Sequence, residues 1–346
     1  NRIGGPHIYS KYIVQDLKNE KFLNITCGKS TWSNLNLLNI KKYNKYLYFF
    51  EIIINICEIL MNKKIKKTNL FFVFGIFNLA PIISGIFLKK KIYWFLIEDV
   101  TSISKFFFKI INFFYQIEII CINKMIAKKL EIKKYQIYLP KINVKFWQGK
   151  QMVDIKNKNK LIFTLVGNIN RTKNYHQFFK FLENIHLPIQ VNVIGEILKN
   201  QYHYYNKIKK ILYVNSIKVS FHGRKNKNFI KSKLSATDLF FLPSLSEGTS
   251  ISMLEAMSCG LPVIASDIPP HRHLVEDQVT GYLVDLTRPE NLIDQLAALA
   301  TDRRRGRVMG EAARELVLAD HSWTAGASSY VTLFIQHQKK SADHVV

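Results

Sequence analysis

Between residues 161 and 265 the chain alternates short apolar runs with amphipathic stretches, and that rhythm limits the folds open to it. Apolar runs at 161–166, 190–194, 217–222, 239–242 and 262–265 read as strands buried on both faces. Amphipathic stretches at 176–185, 201–213, 229–234 and 250–258 read as the helices between them. Strands that alternate with helices form a parallel sheet covered on both sides. The first half has the same rhythm: strands at 70–74, 92–97, 117–122 and 136–139, helices at 79–88 and 124–130, and an amphipathic stretch at 102–115.

The expected architecture is therefore α/β, with two Rossmann-like doubly wound domains facing a cleft. A length of 346 residues, 48% of them hydrophobic, suits two cores rather than one. The polar stretch 145–160 reads as the linker. It separates an N-terminal domain, 1–150, from a second at 151–320, with a C-terminal helix and tail at 321–346. The opening Asn1-Arg2-Ile3-Gly4-Gly5 has no hydrophobic strand before it, so the first strand of the N-terminal domain is expected to be missing. Residues 70–88 are long and apolar enough to span a bilayer. Pro81 suits the first turn of a short helix there, and the alternation on either side favours strand, turn and helix over a membrane span.

Charge is unevenly placed. The net charge is +25, yet from Ala236 onward there are 9 Lys+Arg against 14 Asp+Glu, which leaves 41 against 11 before it. Alanine changes in the opposite sense, with 2 before Ala236 and 12 from there on. Such a break suggests a chimera of two differently biased coding sequences. The basic first part is expected to attract anions: a phosphorylated substrate, an anionic membrane surface or nucleic acid. The stretch 105–115, rich in Phe and Lys, could rest on a bilayer or pack on its own sheet. Four cysteines at 27, 57, 121 and 259 fit no metal spacing and read as free thiols of a reducing cytoplasm.

Ligands of open α/β sheets bind at the carboxyl ends of strands, so the loops after strands carry the functional candidates. The most informative follows the run 239–242 and reads Pro243-Ser244-Leu245-Ser246-Glu247-Gly248-Thr249-Ser250. Its small and hydroxyl residues allow a tight turn and a helix N-cap. The helix start, Gly248 through Ile251, offers N–H groups and a positive dipole end to a phosphate. Glu247 and Glu255 would be repelled by that phosphate, so they are expected to accept hydrogen bonds from sugar hydroxyls.

Glu247 and Glu255 form a Glu-x7-Glu motif. With Gly260-Leu261-Pro262-Val263-Ile264-Ala265, Gly281-Tyr282-Leu283-Val284 and His321-Ser322-Trp323, it resembles the family 4 retaining glycosyltransferases of the GT-B fold. The resemblance implies transfer of a sugar from a nucleoside-diphosphate sugar, with retention, to a glycan or lipid-linked acceptor. It also implies that Glu247 orients the sugar and Glu255 the ribose. Gly4 and Gly5 match the family's phosphate-approaching glycine loop. Gly167 begins its Gly-Arg…Lys element, in which Lys173 holds the lysine position. Asn168 stands where arginine is usual, with Arg171 as a substitute on the same loop. Asp99 matches an aspartate near the transferred sugar, while Glu98 replaces the histidine that usually precedes it. Gly223, in His222-Gly223-Arg224, is placed beside the nucleotide base.

The resemblance thus names Glu247, Lys173 and Asp99 as catalytic, with no metal and no cofactor, the nucleotide-sugar being a substrate. Further expectations are a hexosyltransferase of cell-surface polysaccharide or lipopolysaccharide synthesis, at work in the cytoplasm or on the inner face of the plasma membrane. Two rival readings stand beside it. One is an inactive or chimeric relative that binds nucleotide without turnover. The other is a basic nucleic-acid binder, for which no recognition motif is present. The extended match argues against an epimerase or phosphorylase on the same fold.

Overall fold

A computed structural model describes residues 56–66, 70–74, 79–96, 117–122, 124–137, 139–148, 160–215, 218–288 and 290–322, with isolated positions at 105–106, 108–109 and 111. Gly4, Gly5, Glu98 and Asp99, most of the expected linker and the expected helix beyond residue 322 lie outside the described residues. The chain divides into two compact units between Pro140 and Lys141.

In the first unit, β1 (Leu70–Phe74), β2 (Lys91–Leu96), β3 (Glu118–Cys121) and β4 (Gln136–Ile137) form a parallel sheet in chain order. Residues 92–96 are all buried, as expected of a strand covered on both faces. Helix α1 (Leu79–Phe87) carries Pro81 in its first turn. The long apolar segment is thus a strand and a short helix. Among the described residues no helix is long and apolar enough to cross a membrane. Helix α2 (Lys124–Leu130) packs on β3.

The second unit opens with α3 (Val144–Trp147), where Asn143 accepts a hydrogen bond from the Phe146 N–H at 2.9 Å. Val144 and Trp147 are buried, and the Cys259 thiol donates to the Trp147 carbonyl at 3.0 Å. Part of the expected linker is therefore a helix packed on this unit. Six parallel strands follow: β5 (Leu161–Val166), β6 (Ile189–Ile194), β7 (Val219–Phe221), β8 (Leu239–Leu242), β9 (Val263–Ser266) and β10 (Gly281–Val284). Their spatial order is β10-β9-β8-β5-β6-β7, the Rossmann order. The covering helices are α4 (Tyr175–Leu182), α5 (Tyr202–Asn215), α6 (Lys227–Leu234), α7 (Ile251–Ser258), α8 (Pro269–Arg272), α9 (Glu290–Thr301) and α10 (Arg303–Asp320).

The change in composition at Ala236 falls between α6 and β8, inside this unit. The two sides are stitched together. Phe163 and Thr164 of β5 lie beside Leu239 and Phe240 of β8. The Thr164 and Thr237 hydroxyls are 2.6 Å apart, and the Asp238 carboxylate accepts from the Ile162 N–H at 2.7 Å. Phe241 packs among Phe178, Phe163 and Phe181, with ring centroids 4.6, 6.2 and 6.2 Å away.

Candidate functional site

The strand order reverses between β5 and β8. Successive strands after β5 are added on one side and those from β8 on the other, so the loops leaving these two strands diverge and leave a crevice at their carboxyl ends. These loops are 167–174 and 243–250, the two that the sequence singles out.

The β5 loop is built around small contacts. Tyr175, buried at the start of α4, donates its hydroxyl to the Gly167 carbonyl at 2.8 Å, and burial pushes its proton affinity up. A side chain on Gly167 would meet the Lys173 stem, with Cβ 3.1 Å from Cε, so the lysine lies across the glycine. Gly195, after β6, comes closer still: a Cβ there would sit 1.9 Å from the Gly167 carbonyl oxygen. Asn170 accepts from the Lys173 N–H at 2.9 Å and caps the 3-10 turn Arg171–Lys173. Asn174 then takes a left-handed conformation, φ 53°, before α4. Asn168 turns its amide oxygen to the Glu196 N–H at 3.3 Å. Arg171 is exposed at the head of the turn.

The β8 loop meets it. The Leu245 N–H donates to the Thr172 carbonyl at 2.8 Å, and Lys173 forms an ion pair with Glu247. Their side chains are only 19% and 13% exposed. The buried Ser244 hydroxyl also donates to Glu247, at 2.7 Å. Gly248 and Thr249 are half-buried. Ser250 is the N-cap of α7, its hydroxyl accepting from the Met253 N–H at 3.3 Å. Ile251 is the buried first residue of that helix. The positive end of α7 therefore lies beside the ammonium of Lys173 and the carboxylate of Glu247.

Glu255 is buried one turn into α7. Burial pushes its carboxyl up to about 8, opposed by the Lys227 ammonium at the start of α6. Lys227 is itself lowered by burial and raised by Glu255. Sequence reasoning missed this lysine, because α6 begins two residues ahead of the expected start and Asn226 caps it at the Phe229 N–H, 2.9 Å away. Tyr175 and Gly195 were also missed. They bear no charge, and only the fold brings them to the loops.

Gly223 has φ 66°, a left-handed turn after β7, and its carbonyl accepts from the Gly195 N–H at 3.0 Å. His222 is satisfied by the Asn192 side chain at 3.0 Å and packs edge-on to Phe229. His271 is fully buried beyond β9. Among the described residues no group of His, Cys, Asp and Glu is placed to hold a metal ion. Of the expected site residues, the second unit brings Gly167, Lys173, Glu247, Gly248, Thr249, Ser250 and Ile251 to the two facing loops, with Glu255 beneath them. Asn168 and Arg171 lie at the rim of the β5 loop and Gly223 after β7.

Residues 150–316 match the model of the glycosyl transferases group 1 family. This part of the chain is similar to a group 1 glycosyltransferase domain. Over 201 residues the chain is 31% identical to the UDP-Gal:alpha-D-GlcNAc-diphosphoundecaprenol alpha-1,3-galactosyltransferase of Escherichia coli, covering 51% of this chain and 49% of that protein. It is 31% identical over 117 residues to the N-acetyl-alpha-D-glucosaminyl L-malate synthase of Bacillus anthracis, covering 34% and 30%. The chain thus spans half or less of the length of these curated relatives. Anabaena HepE, solved with UDP and glucose, superposes with a TM-score of 0.73 at 12% identity over 82% of this chain and 81% of that one. A glycosyltransferase from Rickettsia africae gives 0.70 at 13% identity over 94% and 87%. The group 1 domain and the unit before it share the GT-B fold of these structures.

Proposed function

We propose that this glycosyltransferase moves a hexose from a nucleoside-diphosphate sugar to a glycan or lipid-linked acceptor with retention, as a family 4 enzyme does. The observation that carries the reading is the Lys173–Glu247 ion pair at the strand-order reversal, with Glu255 eight residues on. An ammonium beside a helix start suits the diphosphate that departs, because both stabilise negative charge as it develops. The Glu247 carboxylate is acceptor-only and suits sugar hydroxyls, while the Glu255 carboxyl, raised to about 8 by burial, can donate to a ribose hydroxyl as well as accept from one. In this reading the bond from the anomeric carbon to the diphosphate oxygen breaks as the acceptor oxygen attacks from the same face. The acceptor's proton leaves with the diphosphate. Lys173 and the start of α7 hold the diphosphate, Glu247 orients the sugar and Glu255 the ribose. Arg171, Asn168 and Gly167 line the phosphate loop, and Gly223 borders the base. The resemblance also assigns Gly4 and Gly5 to the donor phosphates and Asp99 to the transferred sugar.

The relatives supply the setting. An acceptor linked to diphosphoundecaprenol is named for the E. coli protein, and a role in cell-surface polysaccharide or lipopolysaccharide synthesis follows by analogy. The reading places the enzyme in the cytoplasm, at the inner face of the plasma membrane, where the excess lysine before Ala236 would meet anionic lipid. It assigns no metal, no cofactor and no nucleic-acid partner. Flotation with anionic vesicles at low salt tests the membrane part, and absence of binding ends it.

The decisive experiment is a thermal-shift panel of UDP-, GDP- and ADP-sugars, with Glu255→Ala as the control, followed by a transfer assay. Stabilisation of the wild type by one nucleotide class, and loss of it in the variant, supports the reading. If no nucleotide raises the Tm of the wild type, the donor-site assignment fails. Stabilisation without turnover would instead favour the inactive relative that Asn168 and Glu98 suggest.

A further inference from the structure

His271 sits on α8, just past the end of β9, and its side chain is fully shielded from solvent. Its Nδ1 lies 2.8 Å from the Ser266 carbonyl. A carbonyl oxygen only accepts, so Nδ1 carries the proton and donates it. Nε2 of the neutral ring is then an acceptor, and it has no hydrogen-bond partner. A buried acceptor without a donor is costly, and this one lies within the field of the candidate site. The charged groups that bear on the ring are Glu247 from the β8 loop and Lys173 from the β5 loop, with the Ser266 carbonyl at the end of β9. Burial is the largest influence on the ring and favours the uncharged form; the Ser266 carbonyl and Glu247 oppose it, while Lys173 adds to it.

A lone pair cannot bind a phosphate oxygen, which is itself an acceptor. It suits a hydroxyl. Glu247, whose charge bears on the ring, is also acceptor-only, so both groups suit hydroxyl donors and offer nothing to phosphate. We propose that His271 is a specificity-determining residue of the donor site, whose Nε2 accepts a hydrogen bond from a hydroxyl of the transferred sugar. This rests on the nucleotide-sugar reading above and assigns to the sugar part of the donor a contact outside the Glu-x7-Glu motif. The contact forms when the Lys173–Glu247 pair parts, as Lys173 turns to an arriving diphosphate. Such a site rejects donors that lack the hydroxyl, because the acceptor then stays unpaired.

The test compares sugar nucleotide with bare nucleotide. Affinities of UDP, GDP, UDP-glucose, UDP-galactose and GDP-mannose are measured for the wild type, His271→Phe and His271→Gln. Phe keeps an aromatic ring but removes both the Nε2 acceptor and the Nδ1 donor to Ser266; Gln restores an acceptor near Nε2. In His271→Phe the expected result is a loss of about 10-fold for the preferred sugar nucleotide, bare nucleotide within about 2-fold, and partial recovery in His271→Gln. In the wild type the advantage of sugar nucleotide over bare nucleotide should shrink as pH falls and the ring protonates; His271→Phe should lack that dependence. As a readout that needs no variant, the Nε2 15N resonance of His271 should shift further with sugar nucleotide than with bare nucleotide. Parallel losses for both ligands, unchanged affinities, or a resonance indifferent to the sugar overturns the assignment alone. If the wild type binds none of the probes, the donor-site reading falls and this contact with it.

Discussion

Lys173 and Glu247, 74 residues apart in sequence, pair across the point where the strand order of the second sheet reverses. Each occupies its partner. On the proposed reading a donor competes for the ammonium with that carboxylate, and the two residues respond differently to substitution. Lys173→Met should weaken UDP or GDP binding by about 10- to 100-fold, the worth of charge-assisted hydrogen bonds. Glu247→Gln frees the ammonium, so bare nucleotide should bind as well or better while sugar transfer falls. Calorimetric titration with the bare nucleotide and with its sugar reads both. A fall in bare-nucleotide affinity for Glu247→Gln would contradict the competition.

Glu255 makes stability depend on pH. Its carboxyl is raised from 4.5 to about 8 in the folded chain. Between these values the folded state holds a proton that the unfolded state has released, so stability falls as pH rises through the window. Urea midpoints from pH 5 to 8 should decline for the wild type, and Glu255→Gln should flatten the decline. An equal slope in the variant would remove Glu255 as the cause.

Two glycines separate site from scaffold. Gly195→Ala would drive Cβ into the Gly167 carbonyl, and Gly310→Ala would bring Cβ within 2.0 Å of the Gly260 carbonyl. Each should cost about 1–3 kcal/mol by overpacking. Only Gly195→Ala displaces the β5 loop, so it alone should lose nucleotide-induced stabilisation. Thermal shift with and without nucleotide checks the contrast.

Ser250→Ala removes the hydroxyl that caps α7 and should lower stability by about 0.5–2 kcal/mol. Denaturant unfolding measures it, and an unchanged midpoint would mean that the loop recaps the helix by another route.

Much of the framework was legible because apolar runs report burial directly. The ranges 161–166, 239–242 and 124–130 coincide with β5, β8 and α2. Helix α10, 18 residues long and capped by Asp302, went unnoticed. Its exposed face carries Arg304, Arg305, Arg307, Glu311 and Glu315, and it buries only Met309, Gly310, Ala313 and Val317, so its apolar stripe is thin. Strand β10 was noticed as a motif but not as a strand. In the site, the loops that hold Lys173 and Glu247 were legible from their position after strands. That the two residues pair was not, since pairing depends on which strands become neighbours. Lys227 was obscure for a related reason: a capped helix start is a property of packing, which no local pattern records.

The packing of Phe241 bears on the composition break. Its ring is enclosed by three phenylalanines encoded before Ala236, and its strand fills the middle of the sheet. The junction is therefore not a boundary between modules that can be exchanged. A chain ended at residue 235 would leave β5 with an open edge and an apolar hole where Phe241 belongs, a combination that promotes aggregation. The lysine-rich and alanine-rich stretches share the core of the second sheet, so a replacement for either has to be matched to the other's side chains there.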